Sequence, residues 1–397
     1  MPLLAAMPLS SNVKLLHDPL TVYLFSNCNS TETFVPAPAN KSSTAAQRDD
    51  TSPASPQTQP TTRSPNGFGE KFATLAADIK ISHTIFALPF ALLGAILAVF
   101  YRKQMATQAN DALLIVIPEL DGDTAYFLDR WPVPFSRWLG MFSLVIICMV
   151  FARTLAMAIN RLADANIDAS NPRTKGRALP SGKLTISFMK RTVLLCAIGF
   201  ALSASGFWMI DNNPSPLILS PFVLAYLAAY SYLKRFTWLC HLYLGSALAL
   251  SPITAAIAIE PRHVLNQPDI LLLAGMVMCW VAGFDIIYAL QDLQSDRKAK
   301  LHSIPARFGA EGALWISRLL HLTAIGALIA LTLTSNAFGT AFAIGVGLVI
   351  ALLILEHALV WNSKTNRMHM AFFTVNGIIS LVLGGLGIFD IVRNISH

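Results

Sequence analysis

Two short stretches of the sequence carry oxygen donors at helical spacing. In ARTLAMAINRLADANIDASNPRTKGRALPSG, Asn160, Asp164 and Asp168 recur every four residues, which on an α-helix places them on one face, about 6 Å apart along the axis. In GFDIIYALQDLQSDRKAKLHSIPARFG, Tyr288, Asp292 and Asp296 repeat that interval, and Asp285 precedes them by about one turn. Carboxylates and an amide are hard ligands suited to Mg²⁺, which keeps several waters and shares substrate phosphate oxygens. One such motif alone is as readily a helix cap or a solvated loop. Two acidic faces on the same side of a membrane would repel unless cations lay between them, and a pair of metal ions holding a diphosphate meets that need.

Basic residues are interleaved with these acids: Arg173, Lys175 and Arg177 after the first motif, Arg297 and Lys298 after the second, and Lys234 and Arg235 in YSYLKR. Lys175, Arg235 and Lys300 read as topology charges. Arg173, Arg177 and Lys234 read as donors that would meet the charge growing on a departing diphosphate. Tyr230 lies four residues before Lys234, so on a helix the two point together. Arg153 sits inside an apolar run, seven residues before Asn160 and on the acidic face. A buried arginine in a membrane helix is a functional candidate, and its guanidinium suits a carboxylate bound through two parallel hydrogen bonds. That carboxylate could belong to an aromatic acid substrate or, in a purely structural role, to Asp285. His83, His241 and His302 lack metal-ligand spacing and read as polar packing or interface residues. Cys28, Cys148, Cys196, Cys240 and Cys279 are scattered and read as small packing residues.

The elements that must position these residues are membrane spans. Hydrophobic residues make up 54% of the 397 and charged residues only 13%, which places the chain in a bilayer. Apolar runs of roughly 19 to 25 residues predict nine transmembrane helices, at about 79–100, 137–160, 190–210, 215–233, 238–259, 269–290, 313–334, 337–361 and 369–391. The first connection, about 101–136, carries Pro118, Pro132 and Pro134 and reads as an extramembrane loop. Lys and Arg number fifteen in the even-numbered connections and five in the odd, the latter including Arg102 and Lys103. The positive-inside rule therefore places the N-terminus and both acidic motifs on the cytoplasmic side. The net charge of +7 is explained by these loops and not by a nucleic-acid stripe. Residues 1–70, rich in Ser, Thr, Pro, Asn and Gln, read as a disordered polar extension ahead of a transmembrane domain at 71–397. The mildly apolar Val13–Phe25 within it is too short to span.

With these motifs the chain resembles the UbiA superfamily of intramembrane prenyltransferases, and within it the 4-hydroxybenzoate polyprenyltransferases, over roughly 75–395. Asn160, Asp164 and Asp168 match the first acidic motif, although Arg161 stands where the family often has Asp. Asp292 and Asp296 match the second, with Tyr288 before them, and Tyr230 and Lys234 match a Tyr-x-x-x-Lys element. The stretch from Arg173 to Gly182 is similar to the family's RTxxRPLPSG loop, with Ala178 for the usual Pro. The resemblance implies an all-α bundle of about nine helices around a central cavity with a cytoplasmic polar cap. It further implies Mg²⁺ on Asn160, Asp164, Asp168, Asp292 and Asp296, and a reaction in which a polyprenyl group leaves its diphosphate and alkylates the ring of an aromatic acid. Arg153 would hold the acceptor's carboxylate, and Asp285 would orient or deprotonate it. Hydroxynaphthoate is the alternative acceptor, and a transporter is the rival of a different class. The expected partners are polyprenyl diphosphate, the aromatic acid and the bilayer, with no obligate protein partner. A bacterial inner membrane is the expected location, and the mitochondrial inner membrane the alternative.

Overall fold

The computed structural model describes residues 67–79, 84, 86–114, 132–361 and 371–396, all within one compact unit at 60–397. Val13–Phe25, Cys28, His83, Pro118, Lys364 and Arg367 lie outside the described residues. The fold is all helical: α1 (Phe68–Asp78), α2 (Leu88–Leu114), α3 (Phe135–Ser170), α4 (Ile186–Asp211), α5 (Ser215–Leu233) and α6 (Cys240–Ile259). It continues through the short α7 (Pro261–Asn266), α8 (Asp269–Ala289), a 3₁₀ turn (Leu290–Asp292), α9 (Leu293–Lys298), α10 (Ile304–Thr334) and α11 (Thr340–Trp361). A single π turn (Ala371–Val375) then leads into α12 (Asn376–Ser396). Among the described residues, nine helical segments are long and apolar enough to cross a membrane, so the chain is an integral membrane protein.

α8 is the hub. Seventy-two per cent of its most apolar window is buried, and it packs along α6 on one side and α10 on the other. Small residues allow these approaches, as expected where no hydrophobic effect drives helices together in lipid. A Cβ on Gly245 of α6 would collide with the Met278 carbonyl of α8, and one on Gly94 of α2 with the Pro252 carbonyl of α6.

The structure corrects the first span. The helix starts at Leu88, not near 79, and continues to Leu114, so Arg102 and Lys103 lie within it and not in a connection. Arg102 is fully buried: Nη2 donates to Asp211 Oδ2 at 2.7 Å, Nε lies 3.4 Å from Glu260 Oε2, and the Ile259 carbonyl accepts a further bond. This cluster joins α2 to the ends of α4 and α6, opposite the acidic motifs. The expected domain boundary at 70 falls inside α1.

Candidate active site

α3 positions the first motif by its length. Its 36 residues extend about 54 Å, well past a ~30 Å hydrocarbon core, and the excess carries the acids into a polar cap. The predicted common face is present: Asn160 Nδ2 donates to Asp164 Oδ2 at 3.2 Å, across one turn. After α8 the chain tightens into the 3₁₀ turn that ends at Asp292, and α9 then presents Asp296.

The cap brings the four carboxylates together with four cations of the chain. Arg173 grips Asp292 with two bonds, Nε to Oδ1 at 2.9 Å and Nη2 to Oδ2 at 2.5 Å, and its Nη1 lies 3.5 Å from the Tyr288 hydroxyl. Arg177 Nη1 donates to both oxygens of the buried Asp168 at 2.7 Å. Lys234 Nζ lies 2.8 Å from Asp296 Oδ1, whose other oxygen accepts from Ser303 Oγ at 2.9 Å. Arg235 Nη2 lies 3.4 Å from Asp164 Oδ1 and donates to the Ala163 carbonyl. Arg235 is therefore part of the cap and not only a topology charge, whereas Lys175 and Lys300 remain exposed. Basic side chains offset the like-charge repulsion between the two motifs. Burial works against the charge on Lys234, but the Asp296 carboxylate outweighs it and holds the ammonium pKa above the ordinary lysine value. Arg173 is shifted upward by the same balance, burial being overcome by Asp292.

The loop between α3 and α4 reaches these acids because its own backbone is pinned. Asp78, at the end of α1, accepts from the Ala178 N–H at 2.8 Å, and Gly182 supplies the positive φ of +73° at the turn. A second positive-φ glycine, Gly309 at +74°, kinks the start of α10.

Below the cap lies a cavity of about 170 Å³ walled by α3, α4, α5 and α6 together with Thr84 and Ala87. Most of its lining is apolar, with Arg153, Tyr230, Thr84, Ser251 and Thr254 as exceptions. Arg153 Nε is buried and has no hydrogen-bond partner among the described residues. The pairing with Asp285 considered from the sequence does not form. Asp285 Oδ2 is instead 2.7 Å from His241 Nδ1. His241, read from the sequence as a packing residue, thus joins the site, and only a partner on another helix reveals it. His302 is exposed at its side chain and donates its N–H to the Lys234 carbonyl at 2.7 Å. Cys196, Cys240 and Cys279 are buried packing residues.

An acidic, cation-paired cap above a mostly apolar cavity in an all-helical membrane bundle is the arrangement of a membrane enzyme. The chain belongs to the UbiA prenyltransferase family, whose model matches residues 129–378, and it is a prenyltransferase. It is 29% identical over 290 residues to the 4-hydroxybenzoate octaprenyltransferase of Saccharophagus degradans, covering 69% of this chain and 91% of that one. The corresponding enzyme of Chromohalobacter salexigens is 27% identical over 280 residues, covering 68% and 91%. Among solved structures, a UbiA homolog from Aeropyrum pernix superposes with a TM-score of 0.61 at 29% identity, covering 79% of this chain and 98% of that one. A UbiA homolog from Archaeoglobus fulgidus, bound to DMAPP and Mg²⁺, has the same fold at a TM-score of 0.54 and 17% identity, covering 81% and 99%. The transporter reading is set aside by the family.

Proposed function

We propose that the enzyme transfers a polyprenyl group from polyprenyl diphosphate to a ring carbon of 4-hydroxybenzoate or a closely similar aromatic acid, in quinone biosynthesis. The observation that carries this reading is Arg153, which lines a mostly apolar cavity below the cap and whose buried Nε has no hydrogen-bond partner among the described residues. An aromatic acid matches both features, a flat apolar ring and one carboxylate for the guanidinium fork. The names of the bacterial relatives support the same acceptor.

The donor set of the cap fits Mg²⁺: Asn160, Asp164, Asp168, Asp292 and Asp296 offer only oxygen ligands, gathered at one end of the bundle. When bound there, Mg²⁺ would supply positive charge to the diphosphate and its leaving oxygen. Among the described residues no three acids, histidines or cysteines already form a closed metal site. Arg173, Arg177 and Lys234 orient the diphosphate and meet the charge that develops as the allylic carbon–oxygen bond breaks. Tyr230 lines the upper cavity, and the Tyr288 hydroxyl lies 3.5 Å from Arg173 Nη1 in the cap. The apolar walls keep water from the allylic cation until the ring captures it. The expected location is a bacterial inner membrane with the cap in the cytoplasm, in keeping with the bias of basic residues.

The test is incubation of membranes bearing the protein with a long-chain polyprenyl diphosphate, labelled 4-hydroxybenzoate and Mg²⁺, with and without chelator. Chelator-sensitive label in the lipid extract is the expected result. Label from a dihydroxynaphthoate but not from 4-hydroxybenzoate would keep the reaction and replace the acceptor.

A further inference from the structure

We infer that His241 holds the hydroxyl of the aromatic acceptor and takes its proton as the ring is alkylated, with Asp285 as the residue that positions the imidazole. The inference rests on the reading of the cavity as the acceptor site.

His241 lies in the first turn of α6, at the capped end of the cavity. Leu248 and Ala255, seven and fourteen residues on, line the cavity at one edge of its α6 wall, so the helical repeat sets His241 beside that edge, between the cavity and α8, above the lining residues. The side chain is 5% exposed, and its Nδ1 is 2.7 Å from Asp285 Oδ2. An ionised carboxylate only accepts, so the Nδ1 proton points to Asp285 and Nε2 is left for another partner. Nε2 is buried and has no hydrogen-bond partner among the described residues. A buried polar atom in that condition is costly, and a bound hydroxyl would relieve it.

The orientation of the acceptor follows from the same geometry. The ring carbon to be alkylated is adjacent to the hydroxyl, so the hydroxyl must lie at the capped end, near the diphosphate. The carboxylate then points away from the cap, toward Arg153, which is seven residues and about 10 Å down α3 from Asn160. Two unmet polar atoms, Arg153 Nε and His241 Nε2, thus serve the two ends of one molecule.

The electron count closes. The allylic carbon–oxygen bond breaks and its pair leaves on the diphosphate. A ring π pair forms the new carbon–carbon bond while the hydroxyl proton passes to Nε2, leaving a neutral dienone and an imidazolium steadied by Asp285. The ring carbon then loses its own proton to the departing diphosphate. The carbonyl oxygen takes back the proton from Nε2, which restores the phenol and the neutral imidazole. The products are the prenylated phenol and protonated diphosphate.

The test compares wild type with His241→Gln in steady-state kinetics, using 4-hydroxybenzoate and 3-fluoro-4-hydroxybenzoate, whose hydroxyl is more acidic and which keeps one free ring position. His241→Gln should lower kcat with 4-hydroxybenzoate about 10²-fold. KM for polyprenyl diphosphate should stay within about threefold, and the loss should be several-fold smaller with the fluorinated acceptor. An equal loss with both acceptors, or activity within threefold of wild type, would overturn the inference while leaving the proposed reaction intact. Absence of product from the wild-type enzyme with either acid would remove the acceptor reading and the inference with it. Should His241→Gln not be recovered folded, Asp285→Asn carries the same comparison and the same outcomes.

Discussion

Asp78 at the end of α1 places one carboxylate oxygen 2.9 Å from Arg161 Nε on α3, and its other oxygen 2.8 Å from the Ala178 N–H in the following loop. Arg161 and Ala178 stand at positions where the resemblance to the family's motifs leads one to expect, often, Asp and, usually, Pro. An Asp at 161 would set a second negative charge against Asp78, and a Pro at 178 has no N–H to give. The three residues therefore form one set. It fastens α1 to α3 and to the loop that carries Arg173 and Arg177.

Arg161 and Asp78 are 5% and 7% exposed at their side chains, so breaking the pair leaves a buried charge without a partner. Arg161→Ala should destabilise the protein by about 3 kcal/mol. Ala178→Pro, which removes one hydrogen bond, should cost about 1 kcal/mol. Thermal unfolding in detergent should rank them in that order, and an unchanged midpoint for Arg161→Ala would show that the pair contributes nothing to the fold.

Asp164→Ala and Asp292→Ala should each lower turnover by at least about 10²-fold, because each removes a proposed metal ligand and leaves Arg235 or Arg173 without its carboxylate. Asp164→Asn should need more Mg²⁺ for half-maximal rate than wild type. An Asp292→Ala enzyme that retains most activity would rule out this ligand assignment.

What the sequence made legible was local. The common face of Asn160, Asp164 and Asp168 is a property of one helix, and α3 realises it. The second motif is not one helix: a 3₁₀ turn that spacing did not announce separates Tyr288 on α8 from Asp296 on α9. Pairings between helices were out of reach. Arg235 reads as a topology charge from the sequence because its partner Asp164 is 71 residues away, and His241 reads as packing because Asp285 is 44 residues away. From the sequence Arg102 reads as a loop residue, because a cation normally ends an apolar run. Asp211, which ends α4, and Glu260, the cap residue between α6 and α7, neutralise it inside the fold.

Arg153→Ala should raise KM for the aromatic acid by about 10- to 100-fold while leaving KM for the prenyl donor near its wild-type value, since a charge-assisted contact to one substrate is lost. Arg153→Lys should recover little, because a single ammonium does not reproduce two parallel hydrogen bonds. Equal rises in both KM values would place Arg153 in general folding and not in acceptor binding.

The proposed boundary between extension and enzyme can be located by truncation, and Asp78 decides where the cut becomes harmful. We propose that residues 1–66 are dispensable for catalysis, so a chain starting at Gly67 should keep activity within about twofold. A chain starting at Ser82 lacks α1 and with it Asp78, leaving the buried Arg161 without its carboxylate and the Ala178 N–H without its acceptor. It should lose stability by at least as much as Arg161→Ala, about 3 kcal/mol. Its turnover should fall further, because the loop that brings Arg173 to Asp292 and Arg177 to Asp168 loses its anchor. Activity assays and thermal unfolding on the two truncations, side by side with Asp78→Asn, separate the alternatives. If Asp78→Asn reproduces most of the stability loss of the longer truncation, α1 acts through this one contact. If it does not, the apolar packing of Leu75 and Ile79 against Met189 and Leu184 carries the attachment.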